Sequence, residues 1–272
     1  MAQQKPAYQL FNAKGKKVKY RKLTKAAEQA EVLLFGETHN NPICHWLQLE
    51  LCQDMYQTRE LILGAEMFER DNQESLSQFV KRDIDAKTFK DSTRLWPNYD
   101  TDYEPVVAFA RKEGIPFWAT NTPRKYASIV YQDGFEALES LPEEEKAWFA
   151  PLPIKYDPEL PGYKAMLDMI PGHGGENFPK AQAIKDATMA YSILENYEEA
   201  HLFIHLNGTY HSQNFEGIVW YLQQERPDMK IVTIASVEQA DISKLSEENL
   251  GLADFILCIP ETMTKTYVSP SM

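Results

Sequence analysis

Two carboxylates and two histidines in this chain stand just beyond apolar runs that read as β-strands. Gly36-Glu37-Thr38-His39 follows the run Glu31–Phe35, and Glu66 follows Leu61–Ala65. Thr120-Asn121 follows Ile115–Ala119, and Asn207-Gly208-Thr209-Tyr210-His211 follows His201–Leu206. Open parallel α/β sheets bind ligands outside the carboxyl ends of their strands. Four parallel strands would therefore aim Glu37, His39, Glu66, Asn121 and His211 into one crevice. Glu37, His39, Glu66 and His211 could ligate a divalent metal, since carboxylate and imidazole together suit zinc, manganese, cobalt or iron. The same four could instead do acid–base work on a bound water. Glu37 and Glu66 repel one another unless a cation or a shared proton joins them.

Each residue also has a plainer reading. Glu37 could cap the following helix, and Glu66 could pair with Arg70 or Lys125. His205 lies inside a strand and reads as a core histidine, whereas His201 opens that strand and reads as solvated. His45 rides on a helix, facing either the crevice or the surface. Cys44, Cys52 and Cys258 are an odd set with no close spacing, which reads as free thiols, not a disulfide framework.

The elements that must position these groups alternate between strand and helix. Tyr8–Phe11 and Val18–Tyr20 flank Asn12–Gly15, a hairpin signature. Pro42 suits the first turn of a helix carrying Trp46, Leu49, Cys52 and Met55. Asp71 with Glu74 predicts a capping box. Thr122-Pro123 opens a helix that Gly134 closes, and Pro142 precedes an acidic first turn, Glu143–Glu145. A helix spans Pro179–Tyr197, and further strands follow at Ile231–Ala235 and Phe255–Ile259. This order predicts an α/β domain over residues 1–272, a mostly parallel open sheet with helices on both faces and an N-terminal β-hairpin. Residues 150–178 break the rhythm. They are rich in proline and glycine, carry Tyr156, Tyr163, Met166, Met169 and His173, and read as a long irregular lid-like insert.

The formal net charge of -12 over 272 residues disfavours nucleic acid and anionic membrane surfaces as partners. No apolar run is long enough for a transmembrane segment. The opening Met1–Pro6 suits a chain whose export signal was removed as well as one that never had it. There is no nucleophile elbow, P-loop or dinucleotide fingerprint.

Several motifs resemble one family. Gly36-Glu37-Thr38-His39-Asn40-Asn41-Pro42 with His45 and Gln48 is similar to the opening of the ChaN-like haem-binding proteins. So are Glu66–Arg70 with Gln73, Ala119–Arg124, Ala181-Gln182 with Asp186–Ala190, and Gly208–His211 followed by Gly217-Ile218. These run in order from about Leu33 to Leu222. The family lies in a wider group with the erythromycin esterases and Tiki metalloproteases, in which a Gly-Glu-x-His turn, a second glutamate and a late histidine build the active site. The chain departs from the pattern at Cys44-His45, where a histidine pair is common, at Gly208–His211, where Gly-x-Gly-His is common, and in lacking a lipobox cysteine.

The resemblance implies a haem-binding protein serving haem and iron acquisition, a homodimer, and an iron-regulated lipoprotein's place in the periplasm or cell envelope. The alternatives are a cytoplasmic protein and a metal-dependent hydrolase, esterase or protease-like, using Glu37, His39, Glu66 and His211. Whether the protein is an enzyme stays open on the sequence. With no CxxCH motif any haem is held non-covalently. The resemblance leaves Tyr156, Tyr163, His173, Tyr210 and His211 as iron ligands, with Met166 in the apolar surface.

Overall fold

The structure is a computed structural model, and its described residues are 5–169 and 175–267. His173 lies outside the described residues, as does the side chain of Met169.

Seven strands form one sheet: β1 (Gln9–Asn12), β2 (Val32–Glu37), β3 (Leu61–Glu69), β4 (Phe117–Asn121), β5 (Leu202–Gly208), β6 (Ile231–Gln239) and β7 (Phe255–Pro260). Their spatial order is β1-β7-β6-β2-β5-β3-β4. β2 to β7 run parallel, and β1 joins β7 antiparallel at the edge. The parallel sheet with helices on both faces is as the sequence predicts. The N-terminal hairpin is brief: the Asn12 side chain accepts from the backbone N–H groups of Lys14 and Lys16, and one bridge joins Phe11 to Lys17. The returning arm then enters the helix Tyr20–Ala27.

The strands are buried on both sides, so they read as continuous apolar runs. Alternation still sorts their side chains. Leu33, Phe35, Leu63, Leu202 and Ile204 pack with residues of the helices Tyr20–Ala27, Pro42–Tyr56, Gln73–Val80 and Glu104–Glu113. Val32, Leu34, Ile62 and Phe203 pack with the helices Asn177–Asn196 and Ile218–Glu225.

β5 lies between β2 and β3 although it comes later in the chain. Connections from β2 and β5 thus leave toward opposite halves of the sheet, which opens a crevice at their carboxyl ends. Two local devices shape that rim. The Asn41 side chain caps the helix Pro42–Tyr56, accepting from Ile43 N–H at 3.1 Å, with Pro42 in the first turn. The β3–β4 ladder shifts register between Ala65 and Glu69, and the β3–β5 ladder ends at Ala65. Glu66 thereby leaves the regular ladder where it meets the crevice.

The expected capping box at Asp71 and Glu74 is absent. A 3₁₀ turn, Arg70–Asn72, precedes the helix, and Asp71 accepts instead from Asn72 and Arg94. The insert 150–178 is not wholly irregular, since Pro161–Met169 is helical.

Gly36 in β2 sits tight against the next strand and turn. A Cβ there would lie 2.7 Å from the Ile234 carbonyl oxygen and 2.9 Å from Thr209 Cα. Both are backbone atoms that cannot rotate away. Gly36→Ala should lower stability by about 1–3 kcal/mol, the usual cost of overpacking. Urea unfolding checks this, and an unchanged midpoint would contradict the packing described.

Candidate functional site

Two carboxylate–imidazole pairs occupy the crevice. Glu37, the last residue of β2, is fully buried, and four polar groups converge on it. Its Oε1 lies 2.9 Å from His39 Nδ1 and accepts from the Tyr103 hydroxyl at 2.8 Å. Its Oε2 accepts from Gln48 Nε2 at 2.6 Å, with His45 Nδ1 3.6 Å away. Burial opposes the charge on Glu37, but His45, His39 and Gln48 outweigh it and hold the pKa below the usual carboxylate value.

His45 is buried beneath the site. Its Nε2 lies 3.1 Å from the His39 carbonyl oxygen and 3.4 Å from Asp102 Oδ2. Asn98 donates to the same His39 carbonyl at 2.8 Å and to Asp102 at 2.5 Å. The turn that carries His39 is thus tied down from below by side chains of 45, 98 and 102. Burial also opposes a charge on His39, yet the bond to Glu37 and the fields of Glu66 and Glu37 raise its pKa. The His39 side chain is 42% exposed, and its ring lies edge-on to Trp96.

The second pair centres on His211. Its Nε2 lies 3.1 Å from Glu66 Oε1, and its Nδ1 lies 2.5 Å from Asp186 Oδ1. The Gln182 side-chain amide also touches Nδ1, at 2.9 Å. Glu66 Oε2 accepts from Gly208 N–H at 2.6 Å, and Asp186 Oδ2 accepts from the Tyr163 hydroxyl at 2.9 Å. Burial penalises the His211 charge, but the two carboxylates outweigh it and push its pKa up to about 10. Glu66 is held far below its usual range: burial works against its charge, and His211, His39 and the Gly208 N–H overcome that. Burial pushes Asp186 upward, with His211 only partly opposing. The centre is thus a histidine whose pKa lies well above neutral, clasped between two carboxyl groups.

Gly208 joins the two pairs. A Cβ there would lie 2.8 Å from both Cε1 and Nε2 of His39 and 3.5 Å from Glu66 Oε2. Only glycine lets His39 approach Glu66 across the end of β5.

The structure brings Glu37, His39, Glu66 and His211 to one edge of the sheet, as their strand-end positions predict. Among the described residues, no three His, Cys, Asp or Glu side chains are placed to hold one metal ion. The four divide into two pairs. Glu66 takes neither Arg70 nor Lys125, which pair with Glu195 and Glu145. His205 is a buried core histidine, between Thr120 at 2.7 Å and Asn207 at 3.1 Å, and burial pushes its pKa down to about 4. Cys44, Cys52 and Cys258 are free and buried.

Around His211 the insert closes one side. Tyr163 and Met166 are buried on the helix Pro161–Met169, and the Tyr156 ring stacks on Tyr163 at 5.5 Å. Tyr210 donates to the Gly162 carbonyl at 2.6 Å. Sequence reasoning missed Tyr103, Asn98 and Asp102, which sit in an acidic stretch that reads as solvated. It placed Asp186 and Gln48 only by resemblance. The signal for Asp186 was a lone acid beside the apolar positions Ile184 and Ala187.

The family described as haem-binding uptake, Tiki superfamily, ChaN matches residues 23–222. The chain belongs to this family. Its fold is similar to that of ChaN of Campylobacter jejuni, with a TM-score of 0.69, 18% identity, and coverage of 92% of this chain and 96% of that one. It is also similar to the erythromycin esterase EreC, with a TM-score of 0.52, 11% identity, and coverage of 89% and 93%. A stretch of 130 residues is 28% identical to Protein RETICULATA-RELATED 5, chloroplastic, of Arabidopsis thaliana. That match takes in 45% of this chain and spans only 17% of the Arabidopsis protein. Among the described residues no helix is long and apolar enough to cross a membrane.

The pKa directions fix a pH profile. The His211 contribution to stability is complete below its ordinary 6.5 and is lost as pH rises through about 10. The Glu66 contribution is complete above its ordinary 4.5 and is lost as pH falls below that. The margin of the unaltered protein over His211→Asn should therefore be widest from pH 4.5 to 6.5 and shrink toward pH 10. Urea titrations across pH check this, and a margin that grows with alkalinity would contradict it.

Proposed function

We propose that this protein binds haem non-covalently and serves haem or iron acquisition, in the cell envelope and as a dimer. The observation that carries the reading is the family match over residues 23–222. ChaN of Campylobacter jejuni, which shares the fold, is described as binding haem cofacially.

The donor set discriminates among iron ligands. His211 has both ring nitrogens engaged by Glu66 and Asp186. Burial and Asp186 hold the Tyr163 hydroxyl above the usual tyrosine range, and that hydroxyl is spent on Asp186. Tyr210 is pushed up to about 12 by burial, and its hydroxyl is spent on Gly162. Tyr156 is half-buried with its ring stacked on Tyr163, and burial raises its pKa as well. Glu37 fixes His39 Nδ1, Nε2 lies over Gly208 toward Glu66, and the side chain is 42% exposed. Tyr156 and His39 are therefore our preferred candidate ligands, and the exposed side chains of Leu167 and Phe215 are candidates for the apolar surface; His211, with both ring nitrogens taken, is not preferred. Bound haem would supply a ferric centre and a broad apolar face. The chain's part is to offer one axial side chain and keep it oriented.

Haemin titration of the purified protein should give a saturable Soret band. Tyr156→Phe or His39→Ala should weaken binding at least about tenfold, the loss of one ligand bond being well above 1.4 kcal/mol. No saturable band would contradict the reading.

One observation favours a second reading. Glu37 orients the His39 imidazole through Nδ1 and leaves Nε2 facing Glu66 across Gly208. A carboxylate-oriented imidazole with one open nitrogen is the arrangement of a general base. In a hydrolase His39 would take a proton from water at Nε2, and the His211 imidazolium would hold the Glu66 charge in place. Turnover of ester or peptide substrates, assayed with and without divalent metals, should then fall about 10²-fold or more in His39→Ala. Equal turnover in the variant would contradict this second reading.

A further inference from the structure

A cleft of about 260 Å³ opens between the helices Arg124–Asp133 and Asn177–Asn196, beside the His211 centre. Arg124, Tyr131, Phe178, Gln182 and Lys185 line it. Gln182 connects it to the site, since its side-chain amide reaches His211 Nδ1 at 2.9 Å. Tyr131 and Phe178 form an aromatic wall, edge to face at 6.3 Å. Arg124 and Lys185 bring two positive charges.

Neither cation forms an ion pair among the described residues, whereas the neighbouring Lys125 is paired with Glu145. The larger cavity near Arg70 is different, because Glu195 already neutralises that guanidinium. In a chain of net charge -12, two cations without an ion pair among the described residues on one aromatic-walled cleft favour an anionic group there, although the Glu69 carboxylate accepts from Arg124 N–H at 3.2 Å. The cleft is too small for a whole macrocycle and has room for one acidic arm of a larger ligand.

We infer that this cleft binds the carboxylate end of an aromatic, amphipathic ligand whose body lies at the crevice rim. Arg124 and Lys185 neutralise the anion, and Tyr131 and Phe178 cover the adjoining apolar part. The inference deepens the haem reading and rests on it for the ligand's identity: the arm would be a haem propionate. The anionic end and the aromatic wall do not depend on that identity.

The test uses haemin, haemin dimethyl ester and anilinonaphthalene sulfonate with the full chain. Arg124→Gln with Lys185→Gln should weaken haemin about tenfold, as expected for two partly exposed charge contacts. The dimethyl ester, which lacks the anionic ends, should bind both proteins alike. Lys125→Gln serves as a control for general charge and should leave haemin affinity unchanged. Haemin binding that is equal in the double variant, or an ester that weakens as much as haemin, overturns the inference and leaves the haem reading standing. If the unaltered protein binds no haemin, the haem reading fails. The cleft is then judged by anilinonaphthalene sulfonate, whose fluorescence titration should weaken about tenfold in the double variant. An unchanged titration overturns it. Circular dichroism spectra that match between proteins exclude misfolding as the cause.

Discussion

The structure hangs on His211, held between the buried carboxyl groups of Glu66 and Asp186. Glu66 comes from β3, His211 from the turn after β5, and Asp186 from the helix Asn177–Asn196. Three elements distant in sequence are fastened at one point. Removing a single partner leaves an uncompensated buried charge, which costs about 3–5 kcal/mol. The same clamp fixes the edge of the crevice, because Glu66 also accepts from Gly208 N–H at the end of β5. Tyr163 on the insert donates to Asp186, so the covering helix is positioned by the clamp as well.

That arrangement divides the labour at the site. The inner pair is saturated: each ring nitrogen of His211 has a carboxylate, and each carboxylate has a further donor. The outer pair, Glu37 and His39, is satisfied on one side only. Gln48, Tyr103 and His45 surround Glu37 from beneath, and this fixes His39 through Nδ1 while its other nitrogen lies over Gly208 toward Glu66. The fold is shared with ChaN of Campylobacter jejuni and with an erythromycin esterase, and a shared fold does not fix a shared function.

Much of this was legible in the sequence. β2 to β7 appear as apolar runs, because strands buried on both faces carry little else. Glu37, Glu66 and His211 stand at the ends of such runs, so a parallel sheet brings them together. Pro42 and Gly134 mark a helix start and a helix end through backbone chemistry alone. Partners set by three-dimensional packing were not legible. Tyr103 and Asp102 lie in the stretch Tyr99–Tyr103, whose acidic residues suggest solvent, yet Asp102 is buried against His45 and Asn98. Asp71 had a local capping role open to it and lost it to Arg94, which is remote in sequence. The ligand candidates Tyr163, Tyr210 and His211 lie at the crevice, and nothing in their spacing could tell that their polar atoms make bonds to Asp186, Gly162 and Glu66.

The central claim is the protonation state of His211, and nitrogen NMR of the labelled imidazoles measures it directly. At pH 8 the account predicts both His211 ring nitrogens in the protonated range, since its pKa is pushed up to about 10. A neutral His211 ring at that pH, with one nitrogen unprotonated and free to ligate, would contradict the clamp and return His211 to the list of iron ligands.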